Sequence, residues 1–339
     1  MPQEQTEDRR SLLAQRRSLS RGLTTALMAC VALFAASGIF ARTSVSKGAL
    51  LGMLPFAAIL GVVALGQTLV VQQGGIDLSI QGAMSLGIVI CTHVPDRHDS
   101  KLPLAIAIAF GVAILAGLLN GVLIGWLRLN AIVATLATNA LLYSVVLAVS
   151  GGTPRFTTDR LAKLTGGLTV GIPNTVFFAV FATVITTVAV KSTVAGRRFE
   201  AVGANSLAAL TSGLRPTRHR IGAYVWAQIL YCLGAIMFAG VVTQPTAFQG
   251  DGYLLPSVAA VVLGGTSLLG GRGNLVATVV AALFLSQLEQ FVLALGVGFA
   301  VRTLVQAAAL ALGVAIYTVN WKSVRQRFTS TTHQPALAA

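Results

Sequence analysis

Long apolar runs alternate with short polar breaks along the whole chain. The runs cover residues 24–41, 49–71, 80–94, 102–127, 131–150, 174–190, 221–243, 256–269, 275–296 and 304–319. An α-helix rises 1.5 Å per residue, so about 20 apolar residues cross a bilayer core. Several runs are shorter than that, and 256–269 is interrupted by glycine. Such pieces predict broken or re-entrant helices sheltered by their neighbours. The expected fold is an all-α integral membrane protein of about ten transmembrane helices, some of them short, broken or re-entrant. Its parts are a basic polar tail (1–23), a multi-span domain (24–319) and a second basic tail (320–339). Residues 36–41 are rich in small side chains, as a cleavage site would be, but the leader is long and many spans follow. The first run therefore reads as an uncleaved span.

The widest polar break is central, at 191–220. Its middle reads Gly196-Arg197-Arg198-Phe199-Glu200-Ala201-Val202-Gly203-Ala204-Asn205-Ser206-Leu207-Ala208-Ala209-Leu210-Thr211-Ser212-Gly213. That is long enough for one or two short helices, and it offers a handle to a partner outside the membrane. The plainer reading is a solvated loop whose arginines fix topology.

Composition supports the membrane assignment. Only 10% of residues are charged, 55% are hydrophobic, and the mean hydropathy is +0.79. A soluble chain carries about a quarter charged residues, so this chain has lipid as its main solvent. The net charge of +14 does not point to nucleic acid, because the basic residues sit in the tails and in gaps between spans. Ten spans put both tails on one side. That side then holds sixteen lysines and arginines, the central loop's included, against eight on the other. The richer side is expected to be cytoplasmic. Cys30, Cys91 and Cys232 all lie in apolar runs and form no disulfide or metal pattern.

Acidic residues within or beside the apolar runs are rare, and Asp77 and Glu289 are the two of interest. A carboxylate in hydrocarbon costs several kcal/mol unless it is paired, hydrated or at a helix end. Asp77 and Ser79 follow Gly74-Gly75, where Asp77 would cap a helix starting near Leu78 or meet a substrate. Glu289 lies in Ser286-Gln287-Leu288-Glu289-Gln290. Ser286 and Gln290 are four apart and share a helical face, with Gln287 adjacent and Glu289 placed away from Ser286. This cluster is a translocation-pathway candidate, and Asn120 and Asn139 are weaker ones. Helix-to-helix hydrogen bonding is the alternative for all of them. Ala64-Leu65-Gly66-Gln67-Thr68 also echoes Val262-Leu263-Gly264-Gly265-Thr266, as repeated transporter halves do. No GxxxxGK[ST] phosphate loop, no metal-ligand spacing and no nucleophile with a base is present. No catalytic residue and no metal ligand is assigned, and the chain is not expected to hydrolyse ATP itself.

Three motifs carry a family resemblance. Gly74-Gly75-Ile76-Asp77-Leu78-Ser79, with Gly82-Ala83-Met84 after it, resembles the signature of ribose-type ABC sugar importer permeases. Ala131 through Thr138, running on to Ser150-Gly151-Gly152, is similar to the family's next landmark. The central loop, followed by Gly252-Tyr253 and by Val261 through Gly273, is similar to the family's later elements. The resemblance extends from about Leu50 to Val319, and the two tails carry none of it.

It implies a multi-pass permease subunit of the bacterial inner membrane, with both termini in the cytoplasm. Implied partners are ABC ATPase subunits, an extracytoplasmic sugar-binding protein, and a second permease, either identical or similar. ATP and Mg would bind the ATPase partner, and this chain would bind no cofactor. The central loop resembles the EAA-x3-G coupling helix that fits a groove in the ATPase. Glu200, Gly203, Asn205, Leu207, Ala208, Ala209, Gly213 and Arg215 are then its docking candidates. Leu207 stands where the family usually has Glu, which removes a possible ion pair but leaves the helix and its glycine end. The implied mechanism is alternating access driven by the ATPases. Two other readings stay open. One is a related permease for nucleosides or branched-chain amino acids. The other is an ion-coupled secondary transporter that uses Asp77 or Glu289.

Overall fold

The computed structural model describes residues 21–298 and scattered helical positions between 300 and 311. The helices are α1 (Arg21–Phe40), α2 (Lys47–Gln72), α3 (Ile80–His93), α4 (Leu102–Gly125), α5 (Ala131–Ser150), α6 (Asp159–Gly166), α7 (Asn174–Ser192), α8 (Val194–Ala204), α9 (Ser206–Thr211), α10 (Pro216–Val241), α11 (Leu254–Leu263) and α12 (Leu275–Ala294). Two short strands, β1 (Leu168–Thr169) and β2 (Ile172–Pro173), pair antiparallel with Leu168 opposite Pro173.

Among the described residues, seven helices, α1, α2, α4, α5, α7, α10 and α12, are long and apolar enough to cross a membrane. Two of the expected spans, at 80–94 and 256–269, are helices of 14 and 10 residues. The expected span at 304–319 and the tails 1–20 and 320–339 lie largely or wholly outside the described residues. So does most of the expected charge asymmetry. Among the described residues, nine lysines and arginines lie at the end of the bundle that bears the central loop and seven at the other.

The centre of the bundle is α2 against α10. From Ala57 to Gln72, α2 is buried on every side, and α10 is similarly enclosed. A helix that is apolar all round belongs inside. The outer helices turn apolar residues outward instead: Leu115 and Phe181 are 66% and 65% exposed. That surface fits acyl chains. Close approach of α4 to α10 follows from Gly117, Gly121 and Gly125, spaced four apart. A Cβ on Gly117 would lie 2.6 Å from the Val225 Cα, and one on Gly121 2.7 Å from the Ile221 Cα. In lipid, helices associate by such packing because no hydrophobic driving force acts between them.

Two spans are broken, and they run in opposite senses. After α2, the chain turns at Gly74 (φ +78°) and re-enters the bundle as the irregular segment 75–79, from which α3 completes the crossing. Irregular backbone at membrane depth must find hydrogen-bond partners within the protein. Gly75 N–H donates to the Val70 carbonyl at 3.2 Å. Leu78 N–H donates to Thr135 Oγ1 at 3.0 Å and Gly82 N–H to Asn139 Oδ1 at 2.7 Å, both on α5. Ser79 N–H donates to Asp77 Oδ1 at 2.9 Å. The second break enters from the other end after α10. Its short 3-10 turn, Gln249–Tyr253, packs on the first turns of α3, where Gly250 N–H donates to Ser85 Oγ at 3.1 Å. Then α11 runs back to the loop-bearing end.

Three other details differ from the sequence expectation. The long loop 151–173 contains α6 and the β1–β2 hairpin, and α6 buries Leu161 and Thr165. The central loop ends sooner than expected, because Pro216 starts α10 and its missing N–H suits a first helical turn. Ala64–Thr68 lies inside α2, whereas Gly264 ends α11, so the two echoing segments occupy different places in their helices.

Thr135→Val keeps the side-chain shape and leaves the Leu78 N–H without an acceptor. We expect a loss of about 1–3 kcal/mol of stability, the cost of one buried orphan donor. Thermal unfolding in detergent checks this; an unchanged midpoint would remove Thr135 from the account of the break.

Candidate functional site

Four of the eight pathway candidates meet at the first break. Asp77, Ser79 and Asn120 are fully buried, and Asn139 is nearly so. Ser79 Oγ donates to Asp77 Oδ1 and accepts from Asn120 Nδ2 at 2.9 Å and from Gln228 Nε2 at 2.8 Å. A hydroxyl has one donor and two acceptor positions, so Ser79 is saturated. Gln228 Nε2 also lies 3.3 Å from Asp77 Oδ2. The cluster ties the irregular segment to α4 and α10. Beside it, a crevice lined by Gln228, Cys232 and Ala113 has about 10 Å³ of free space, room for one water. Gln228 was missed from the sequence, although an amide in the run 221–243 carries the same signal as Asn120.

The other four candidates lie on α12, but not as the sequence reading set them. Gln287 is fully buried and donates from Nε2 to Ser37 Oγ on α1 at 3.0 Å. Ser286 and Gln290 are half-buried and Glu289 is exposed. The correction is geometric: positions i and i+3 share a face, so Glu289 lies with Ser286 and not away from it, while Gln287, one residue on from Ser286, turns inward. Glu289 is also close enough to Tyr253 to act on it electrostatically. An accessible acidic and amide face on an apolar helix calls for protein or water opposite it, not acyl chains.

The central loop folds into α8 and α9. Asn205 lies between them, and its Oδ1 accepts from Leu207 N–H at 3.1 Å and Ala208 N–H at 3.0 Å, which starts α9. The end of α9 is a Schellman turn. Gly213 sits at φ +81°, its N–H donates to the Leu210 carbonyl, and Leu214 N–H reaches back to Ala209. Ala209 is buried against the protein, while Leu207 and Leu210 are 71% and 54% exposed. Ala208, Gly213 and Arg215 are exposed as well. Glu200, expected as a docking residue, pairs with Lys191 on α7.

The three glycine motifs converge on the end of α2. Gly271 N–H donates to the Gln72 carbonyl at 2.9 Å, and Gln73 Nε2 donates to the Phe199 carbonyl on α8 at 2.9 Å. A Cβ on Gly203 would lie 2.2 Å from the same Gln72 carbonyl oxygen. Gly271 itself packs on Ala204, where a Cβ would come within 2.8 Å of the Ala204 Cα. The loop helices are thus fixed to both broken spans through backbone contacts.

These motifs and this bundle match known proteins over most of their length. A family model described as branched-chain amino acid transport system / permease component matches residues 49–316. The chain belongs to this permease family. The ribose import permease protein of Bacillus subtilis (strain 168) is 34% identical over 273 residues, 79% of this chain and 84% of that protein. The ribose import permease protein of Escherichia coli (strain K12) is 32% identical over 275 residues, 79% and 84% of the two chains. The autoinducer 2 import system permease protein of Escherichia coli (strain K12 / DH10B) is 33% identical over 266 residues, 78% of each chain. No solved structure gives a significant match. The resemblance first carried by short motifs therefore extends along the chain, and the protein is a multi-pass membrane permease component.

Gly203→Ala tests the junction. Helix propensity alone favours Ala over Gly by up to about 1 kcal/mol, but a Cβ at 2.2 Å from a carbonyl oxygen forces α8 off Gln72. We expect a lowered unfolding midpoint in detergent. Gly222→Ala on α10, where a Cβ meets nothing within 4 Å, should leave the midpoint unchanged or raised.

Proposed function

We propose that this chain is the membrane subunit of an ATP-driven importer that passes a small polyhydroxy solute, a sugar or a close relative. An extracytoplasmic binding protein delivers the solute. Two copies, or this chain and a similar one, stand side by side, and separate ATPase subunits bind ATP and Mg below them. The similarity to import permeases for ribose and autoinducer 2 supports the solute class. The single observation that carries the route is the accessible Ser286–Glu289–Gln290 face of α12. The Asp77 cluster is buried and its groups bond mainly to one another, so it anchors the break and is not the path. The path then runs along a face of the bundle, enclosed when a second copy covers it. Hydroxyl, carboxylate and amide groups suit a ligand rich in hydroxyls. They do not suit the aliphatic side chain of a branched-chain amino acid, the solute named in the family description.

The ATPase docks on α9. Its exposed Leu207 and Leu210 form an apolar knob, with Arg215 and Arg218 nearby on the following turn. Packing dominates this contact, because Leu207 stands in place of a carboxylate. ATP-driven closure of the ATPases moves α9, and α8 passes that movement to Gln72 and so to both breaks. ATP shifts the access equilibrium only by its differential affinity for the two states.

Two variants test this reading in proteoliposomes that hold the permease, its ATPase and its binding protein. Gly213→Val puts a β-branched residue at φ +81°, where L-residues pay about 1–2 kcal/mol. It should abolish uptake while the chain still inserts in the membrane; normal uptake would rule out α9 as the docking element. Glu289→Gln replaces a charged acceptor with a neutral one and should lower uptake about tenfold. Unchanged uptake would move the path off α12.

A further inference from the structure

At the loop-bearing end, a recess of about 240 Å³ opens between the first break and the α4–α5 turn. Its walls include Gln73, Gly74, Gly75, Arg128, Arg220 and Tyr224. Two arginines thus line one small hollow, and among the described residues neither has a carboxylate within 4 Å. The charges of this end that are paired, Lys191 and Glu200, lie elsewhere. Tyr224 adds a second and independent feature. Its side chain is 1% exposed, yet its hydroxyl has no hydrogen-bond partner among the described residues. The hydroxyl lies against Gly75, where a Cβ would come within 2.5 Å of it, and no longer side chain fits there. Asp77 and Arg220 are both close enough to Tyr224 to act on it electrostatically. A buried hydroxyl without a partner costs about 1–3 kcal/mol, and native proteins tolerate few of them. The backbone contributes a third sign of construction. Arg128 holds φ +57°, a left-handed conformation that a non-glycine residue adopts at a cost.

We propose that this recess binds a phosphoryl oxyanion, held by Arg128 and Arg220 and by a hydrogen bond from the Tyr224 hydroxyl. A guanidinium presents a planar fork of donors that matches phosphoryl oxygens, and an anion supplies the acceptor that Tyr224 lacks. A solute-sized sugar alone would leave both positive charges without a counter-charge. Two sources offer the same chemistry at this depth: the headgroup of an anionic phospholipid and a free phosphate or phosphate ester. Bound there, the anion braces α10 against the α4–α5 turn beside the first break. The site is separate from the α12 face and from α9, so it does not depend on the proposed transport route.

The test uses the full chain in lipid nanodiscs, without ATPase or binding protein. In discs of pure phosphatidylcholine at constant ionic strength, inorganic phosphate should raise the unfolding midpoint saturably. The Arg128→Gln/Arg220→Gln double variant should need at least about tenfold more phosphate for the same shift. Tyr224→Phe removes one hydroxyl and should weaken the response several-fold. It keeps the test open if the double variant does not fold. If the source is lipid, discs containing phosphatidylglycerol should abolish the phosphate response. Native mass spectrometry should then find phosphatidylglycerol retained by the wild type and lost from the variants. The proposal is overturned if neither phosphate nor phosphatidylglycerol distinguishes the wild type from the Tyr224→Phe and double variants. ATPase association read on the same variants should stay intact, which separates failure of this site from failure of the docking reading.

Discussion

Every feature of this bundle follows from one requirement: backbone N–H groups at membrane depth must be bonded within the protein. Continuous helices meet it by themselves. The two broken spans do not, and the side chains around them are placed to compensate. Thr135 and Asn139 on α5 accept the Leu78 and Gly82 donors, and Ser85 on α3 accepts the Gly250 donor. Asp77 accepts from Ser79, and Asn120 and Gln228 complete that cluster. A buried carboxylate that would be costly alone is held here by three hydrogen bonds, two from Ser79 and one from Gln228. The breaks in turn fix which helices are neighbours, because their partners are on α4, α5 and α10.

The same breaks give the molecule a mechanical connection. Both end in glycine turns at the loop-bearing end, and both turns meet at the Gln72 carbonyl. Only glycine allows the backbones of α8 and the 270–273 loop to come this close to α2. Side chains at such contacts have rotamers to spare, but backbones do not. A displacement of α8 therefore moves the end of α2 and the start of the first break as one body. The long lever is needed because α9 and the α12 face lie at different places in the structure.

Much of this was legible in the sequence and some was not. The apolar runs placed all seven long helices to within a few residues, since length and hydropathy decide a span. The glycine breaks at 74–75 and 270–271 were visible because Gly and polar residues interrupt otherwise apolar segments. Asp77, Ser79, Asn120 and Asn139 were visible as polar residues in the wrong solvent. Their meeting point was not, because it depends on helix packing set by the Gly117–Gly121–Gly125 stripe, which looks like ordinary small-residue content. On α12, arithmetic with period 3.6 was available, and the face was still misassigned: Gln287 points inward to Ser37, and Glu289 joins Ser286. Arg128 and Arg220 read as topology signals, since nothing in a single sequence says that residues 92 apart share a recess with a buried tyrosine hydroxyl.

The proposed path rests on comparing what is closed with what is open. Inside one bundle, Asp77, Ser79, Asn120 and Gln228 bond to one another, and the space beside them holds about one water. A solute of sugar size does not pass there unless the anchors of the first break come apart, which would expose several backbone donors at once. On α12, polar groups stand accessible on the outside, where lipid would penalise them. In the proposed arrangement, a second copy covering that face removes the penalty and encloses a polar route in the same step. Transport and assembly then become one physical problem under that proposal: the face that would need a partner to be stable in the membrane is the face that would need a partner to conduct.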